Sequence, residues 1–201
     1  MPVRYEQVHT DPELYLFHDV ITDAEIHLLK DIASGKLERS TTRSKTENVT
    51  ENRVSHTAWL ANTSHPVLRR LAHRIAEVTQ LFAFRGLHRP PSRGATAGIQ
   101  SYGIGGFYNT HNDVLYKFLP EDKLNDVRAG GRTAFPEAGI ALTPQKGAAV
   151  LWFNMKRNGN FNPRTLHGGC PVLLGQKWVA NRWIRENANF LRRPCSTDPL
   201  A

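Results

Sequence analysis

The spacing of apolar residues changes part-way along this chain, and that change limits the folds open to it more than any other feature. In the N-terminal part the spacing is helical. Thr22 is followed three residues later by Glu25, the pattern of a capping box. Ile26, Leu29, Ile32 and Ala33 then share one face before Gly35 ends the run. A second helix is expected in SHPVLRRLAHRIAEVTQL, with Ser64 as cap and Pro66 in the first turn. Its apolar stripe is Leu68, Leu71, Ala72, Ile75 and Val78. Between the helices, Arg53 to Leu60 (RVSHTAWL) reads as a strand or an ordered loop. Downstream, the apolar runs become short: IQSYGIGGFY, TAFPEAGIAL, KGAAVLWFNM and QKWVANRWI. The last alternates with a period of two. Lys177, Val179, Asn181 and Trp183 fall on one face, and Trp178, Ala180, Arg182 and Ile184 on the other. Helices followed by short strands predict an α+β domain with a sandwich or jelly-roll core.

The chain's 201 residues suit one domain, and 40% hydrophobic content can bury a core. Lys and Arg outnumber Asp and Glu by 26 to 18, but the basic residues are scattered and no nucleic-acid-binding motif accompanies them. A solvated basic face is therefore expected, and not a nucleic-acid interface. No stretch reaches the roughly 18 apolar residues of a membrane span. The first residues are polar, without the apolar segment of a signal peptide, which taken alone predicts a cytosolic chain. Two Asn-x-Ser/Thr sequons, at Asn48 and Asn62, point the other way. The two cysteines, Cys170 and Cys195, suit buried thiols as well as a single disulfide, and composition does not choose between these.

The residues that could carry chemistry are few. Iron(II) oxygenases hold their metal through two His and one carboxylate, leaving open positions for oxygen and a co-substrate. A His-x-Asp pair in an extended segment places both side chains on one side. His111 and Asp113 form such a pair, with His167 as a distant third ligand. The pair alone is weak, since random placement gives about 0.8 His-x-Asp/Glu pairs in a chain of this composition. A second copy, His9 and Asp11, lies in a polar segment before Pro12 and reads as surface. Lys177 adds weight. On a strand that otherwise reads as core, it either meets an anion or snorkels to the surface. Trp183, an even six residues on, belongs to the same face as Lys177.

The stretches SYGIGGFYNTHND, AGGRTAFPEAGIALTPQKGAAVLWFN and HGGCPVLLGQKWVANRW, with the tail FLRRPC, resemble the catalytic domain of collagen prolyl 4-hydroxylase α subunits. FHDVITDAEIHLLKDIA and RVSHTAWL extend the resemblance to the N-terminal part. The resemblance implies N-terminal helices packed on a double-stranded β-helix, or jelly roll. Residues 1–83 would form the helical part, 84–98 a mobile loop, and 99–201 the core with the iron and 2-oxoglutarate site. His111, Asp113 and His167 would bind Fe(II). Lys177 would pair with the distal carboxylate of 2-oxoglutarate, helped by Tyr102, while Tyr108 and Trp183 would line the site near the target proline. Cys170 and Cys195 would form a disulfide. The implied reaction is 4-hydroxylation of peptidyl proline in procollagen-like Xaa-Pro-Gly sequences. It consumes O2, decarboxylates 2-oxoglutarate to succinate and uses L-ascorbate to rescue the iron. The implied setting is the endoplasmic reticulum lumen, with protein disulfide isomerase as the β subunit.

One departure from the family pattern follows Asp113. Only VLYKFLPEDKLNDVRA separates it from Gly130, and the family carries a longer segment with a core strand there. Pro120 limits any replacement strand. The core is therefore expected to lack one strand, together with a hydroxyl that lies near the 2-oxoglutarate carboxylate in the family. A catalytically impaired paralogue, fragment or splice form acting as a binding or assembly subunit is the alternative that this shortening suggests.

Overall fold

Alternation along the strands fixes which side chains face which layer, and two helices decide which layer is apolar. The computed structural model describes residues 3–41, 52–81, 96–113, 118–184, 189 and 191–198. The chain starts with a hairpin, β1 (Tyr5–Thr10) and β2 (Glu13–Phe17), followed by helix α1 (Asp23–Ser34). A short β3 (Glu38–Arg39), β4 (His56–Ala61) and helix α2 (Pro66–Thr79) complete the N-terminal part. Ten further strands follow: β5 (Thr96–Tyr102), β6 (Tyr108–His111), β7 (Phe118–Lys123), β8 (Ala129–Gly130) and β9 (Thr133–Phe135) come first. Then come β10 (Ile140–Leu142), β11 (Ala149–Phe153), β12 (His167–Gly169), β13 (Val172–Leu174) and β14 (Lys177–Asn181).

These strands make an eight-stranded sheet in the order β1-β2-β11-β7-β14-β5-β4-β3 and a four-stranded sheet in the order β10-β9-β12-β6. A small β13-β8 pair joins them. Leu14, Val150 and Trp152 of the large sheet meet Phe135, Ile140 and Leu142 of the small one, so the two sheets face each other in the jelly-roll manner without closing into a barrel. The expected α+β class is thus observed.

The opposite face of the large sheet carries the helices. Ala58, Leu60, Ile99, Trp178, Ala180 and Leu151 pack against Ile26, Leu29 and Ala33 of α1 and Val67, Leu68, Leu71 and Ile75 of α2. The capping box at Thr22 forms as expected, with Glu25 bonded back to the Thr22 N–H. Glu25 also receives a two-pronged bond from Arg74 of α2, at 2.7 and 3.0 Å, which ties the helices together. Burial disfavours the Glu25 charge, but Arg74 and the Thr22 N–H outweigh it and hold the carboxyl below its ordinary value.

Some expectations need correction. His65, and not Ser64, caps α2: its Nδ1 accepts from the Val67 N–H, while the Ser64 hydroxyl turns back to the Ala61 carbonyl. The segment after Asp113, where Pro120 was expected to limit any replacement strand, does contribute one. β7 lies between β11 and β14, with Pro120 opposite Leu151 on the β11 side and the β14 pairing confined to Glu121–Lys123. A proline lacks the N–H of a ladder bond, and here it falls outside the stretch paired on both sides. Asn62 is buried with its Oδ1 accepting from Arg182, so this sequon is a core position; Asn48 lies outside the described residues. Of the expected loop at 84–98, residues 96–98 belong to β5 and the rest lie outside the described residues. No helix among the described residues is long and apolar enough to cross a membrane.

Candidate metal centre

β6 and β12 run antiparallel as neighbours, and their register sets His111 directly opposite His167. The two imidazole centroids are 4.4 Å apart. Gly168 makes this approach possible, since a Cβ there would stand 3.0 Å from the Tyr108 carbonyl oxygen. Asp113 lies just past the end of β6, and its Oδ2 comes within 3.6 Å of His167 Nε2. Ligand atoms of His111, Asp113 and His167 all lie within 4.8 Å of one another. Among the described residues this is the one such grouping of His, Cys, Asp and Glu. His9 and Asp11 acquire no third ligand; Asp11 is engaged by Asn162 instead.

The orientation of the rings is also fixed. His111 Nδ1 lies 2.8 Å from the Asn109 carbonyl, and His167 Nδ1 lies 2.9 Å from that of Thr165. A carbonyl can only accept, so each Nδ1 carries a proton and Nε2 is the nitrogen left to face a metal. Tyr108 stacks on His111 at 3.7 Å, and Trp152 meets His167 edge-on at 4.9 Å. Two imidazole lone pairs and one carboxylate are the donor set that suits a non-haem Fe(II) with open positions. The residues present therefore fit the group that the sequence implied.

Deeper in the same cleft, Lys177 opens β14 opposite Tyr102 of β5. It is 3% exposed, so it does not snorkel. Its ammonium donates to the Thr133 hydroxyl at 3.4 Å and stands 5.6 Å over the Tyr102 ring. A hydroxyl from β9 thus stands beside the buried ammonium. Above the histidines, the Arg53 guanidinium lies 4.5 Å over the Tyr108 ring. Burial pushes the Tyr108 hydroxyl above its ordinary value, against the pull of Arg53.

All seven side chains named from the sequence line one pocket: Tyr102, Tyr108, His111, Asp113, His167, Lys177 and Trp183. Sequence reasoning missed Arg53, Gln100, Thr133, Trp152 and Asn181, which line it as well. Asn181 and Gln100 were within reach, since each lies an even number of residues from one already chosen on its strand. Arg53 carried no such signal. Cys170 and Cys195 are not bonded to each other in this structure, and their pairing stays an implication of the resemblance. Cys170 is held by its N–H to the Arg132 carbonyl, whereas the exposed Cys195 lies in a segment anchored by Ser196 to Arg157.

No protein-family model matches the chain. Among curated proteins it is 38% identical to the human prolyl 4-hydroxylase subunit alpha-3 over 213 residues, 98% of this chain. It is 35% identical to the human subunit alpha-1 over 217 residues, 99% of this chain. It spans only 38% and 39% of those relatives' lengths. Among solved structures, a viral collagen prolyl hydroxylase from Paramecium bursaria Chlorella virus-1, in a 2-oxoglutarate complex, superposes with a TM-score of 0.66 at 20% identity. That match covers 90% of this chain and 95% of the viral one. A Trichoplax adhaerens prolyl hydroxylase, bound to a peptide of the hypoxia-inducible-factor oxygen degradation domain, gives 0.64 at 15% identity, covering 90% and 87%. The chain therefore shares the fold of these prolyl hydroxylases and is similar along nearly its whole length to the prolyl 4-hydroxylase alpha subunits, of which it spans about two fifths.

Proposed function

We propose that this chain is an Fe(II)- and 2-oxoglutarate-dependent prolyl 4-hydroxylase domain acting on peptidyl proline in procollagen-like Xaa-Pro-Gly sequences. The observation that carries the reading is the pairing, in one pocket, of a two-histidine, one-carboxylate cluster with a buried lysine. His111, Asp113 and His167 would hold the metal. Bound there, iron supplies the oxidising chemistry that couples decarboxylation of 2-oxoglutarate to succinate with hydroxylation at proline C4.

The protein's own residues do the positioning. Lys177 anchors the distal carboxylate of 2-oxoglutarate, because a buried ammonium gains more from an anion than a solvated one does. Thr133 and Tyr102 flank that ammonium and hold its reach. Tyr108 and Trp183 form walls beside the target proline, with Tyr108 held between Arg53 and His111. Ascorbate is the reductant, the endoplasmic reticulum lumen the compartment, and protein disulfide isomerase the partner that the family relationship suggests.

The test is direct. The chain is incubated with Fe(II), ascorbate, 2-oxoglutarate and a Pro-Pro-Gly repeat peptide, and succinate and hydroxyproline are measured. Both products are expected, and both are expected to vanish in His111→Ala. Absence of turnover together with Fe(II) binding unchanged in His111→Ala would overturn the reading.

A further inference from the structure

A large aromatic side chain lies just outside the pocket in a position that packing alone does not explain. Trp59 of β4 is 54% exposed although it stands on the cleft face of the large sheet. Its cross-strand partners fix that face: Trp59 is opposite Gly98 of β5, and Gly98 is opposite Asn181 of β14, which lines the pocket. Gly98 supplies the seat. A Cβ there would stand 3.0 Å from Trp59 Cζ3 and 3.3 Å from Cη2, so the six-membered ring lies directly over the glycine. From that seat the indole stacks on Trp183, two residues past the end of β14, with centroids 5.2 Å apart and planes 27° from parallel. Trp183 is itself a wall of the pocket.

Two consequences follow from this geometry. The Trp59 ring is ordered before any ligand arrives, so a partner does not have to freeze it. Its exposed surface continues the aromatic wall of the pocket outwards along the sheet. An exposed, pre-ordered indole beside a ligand cleft is the kind of surface that carries binding energy. Extended proline-rich chains dock on aromatic-lined grooves in this way, since their polyproline II form is already rigid.

We propose that Trp59 is a specificity-determining residue that stacks on a proline ring of the peptide flanking the target proline, using Gly98 as its seat and Trp183 as its support. The proposal rests on the peptidyl-proline reading above and adds a second proline to what the cleft recognises. It makes the chain prefer Pro-Pro-Gly sequences over those with a single proline.

The test compares two peptides, a Pro-Pro-Gly repeat and an Ala-Pro-Gly repeat, on wild type, Trp59→Ala and Trp59→Phe. Affinity is measured by isothermal titration of the chain loaded with Zn(II) and 2-oxoglutarate, and turnover by hydroxyproline release. Wild type is expected to favour Pro-Pro-Gly, and Trp59→Ala to bind it about tenfold more weakly while binding Ala-Pro-Gly unchanged. Trp59→Phe, which keeps a flat ring, is expected to restore most of the preference. Equal weakening for both peptides would reveal a merely structural role and overturn the proposal, as would no change for either. If wild type hydroxylates both peptides without preference, this inference falls and the proposed function stands. If wild type neither binds nor hydroxylates either peptide, both fall.

Discussion

The two faces of the eight-stranded sheet are built by the same strands, one residue out of step. On β14, Trp178 and Ala180 enter the apolar layer beneath the helices, while Lys177 and Asn181 line the cleft. On β5, Ala97 and Ile99 take the first face, and Gln100 and Tyr102 the second. The helix face is made of surfaces that need only be apolar and of the right volume, and it supplies folding free energy through buried area. The cleft face buries Thr57, Gln100 and Lys177, which are costly unless each meets a partner. The difference teaches that in this sheet stability and chemistry are separated by a single step along the strand. If that separation is real, a substitution on either face has a recognisable signature.

The largest effect is expected at Lys177. Lys177→Ala removes the cation proposed to meet the co-substrate carboxylate, and truncating one partner of a buried charge pair costs about 4 kcal/mol. Titration calorimetry with 2-oxoglutarate should therefore show affinity falling about a thousandfold. The thermal midpoint should stay near that of the parent or rise, because a desolvated ammonium has been removed. A large fall in the midpoint with co-substrate affinity intact would put Lys177 among the residues that hold the fold, and the division between the faces would fail.

The converse substitution lies across the sheet. Leu68 of α2 is fully buried in the helix-face cluster. Leu68→Ala removes buried methyl groups and leaves a cavity, which costs about 3 kcal/mol. Denaturant unfolding should show this loss, while 2-oxoglutarate affinity measured well below the midpoint remains that of the parent. A matched loss of affinity would mean that helix packing sets the cleft geometry and that the faces are coupled.

Much of this division is legible in the residue pattern alone. β14 announces both faces because each residue type fits its side, and that alternation places Lys177 and Trp183 together. His111 and Asp113 are legible through the period of two, and His167 through its nearness to Lys177. What is illegible depends on contacts between distant segments or on competition between near-equal local bonds. Arg53 reaches the cleft only because it bridges to Tyr108 of β6, and no spacing rule links the two. Ser64 and His65 are both polar neighbours ahead of Pro66, and the choice of cap is settled by the Ser64 hydroxyl turning to Ala61. Pro120 argues against a central strand, yet the two ladders of β7 are offset so that the proline borders only β11. Offsets of this kind belong to the pairing of three strands and are invisible in one.

The smallest expected effect sharpens the comparison by using pH. Glu25 lies on the helix side, far from any proposed ligand, and its two oxygens take the Arg74 fork. Its carboxyl is held below the ordinary value in the folded state, so the unfolded chain takes up the proton at a higher pH. This contribution is present above the unfolded value and is lost as pH falls through the folded one. Glu25→Gln keeps the shape but removes the charge, and a hydrogen bond to a charged group is worth about 2 kcal/mol. At neutral pH the variant should unfold at lower denaturant concentration than the parent, and the gap should narrow as pH falls through the carboxylate range. Lys177→Ala should show no such narrowing, because its effect is on ligand affinity. A gap for Glu25→Gln that stays constant with pH would assign the loss to packing between α1 and α2, and would remove charge from the forces that hold the helix face together.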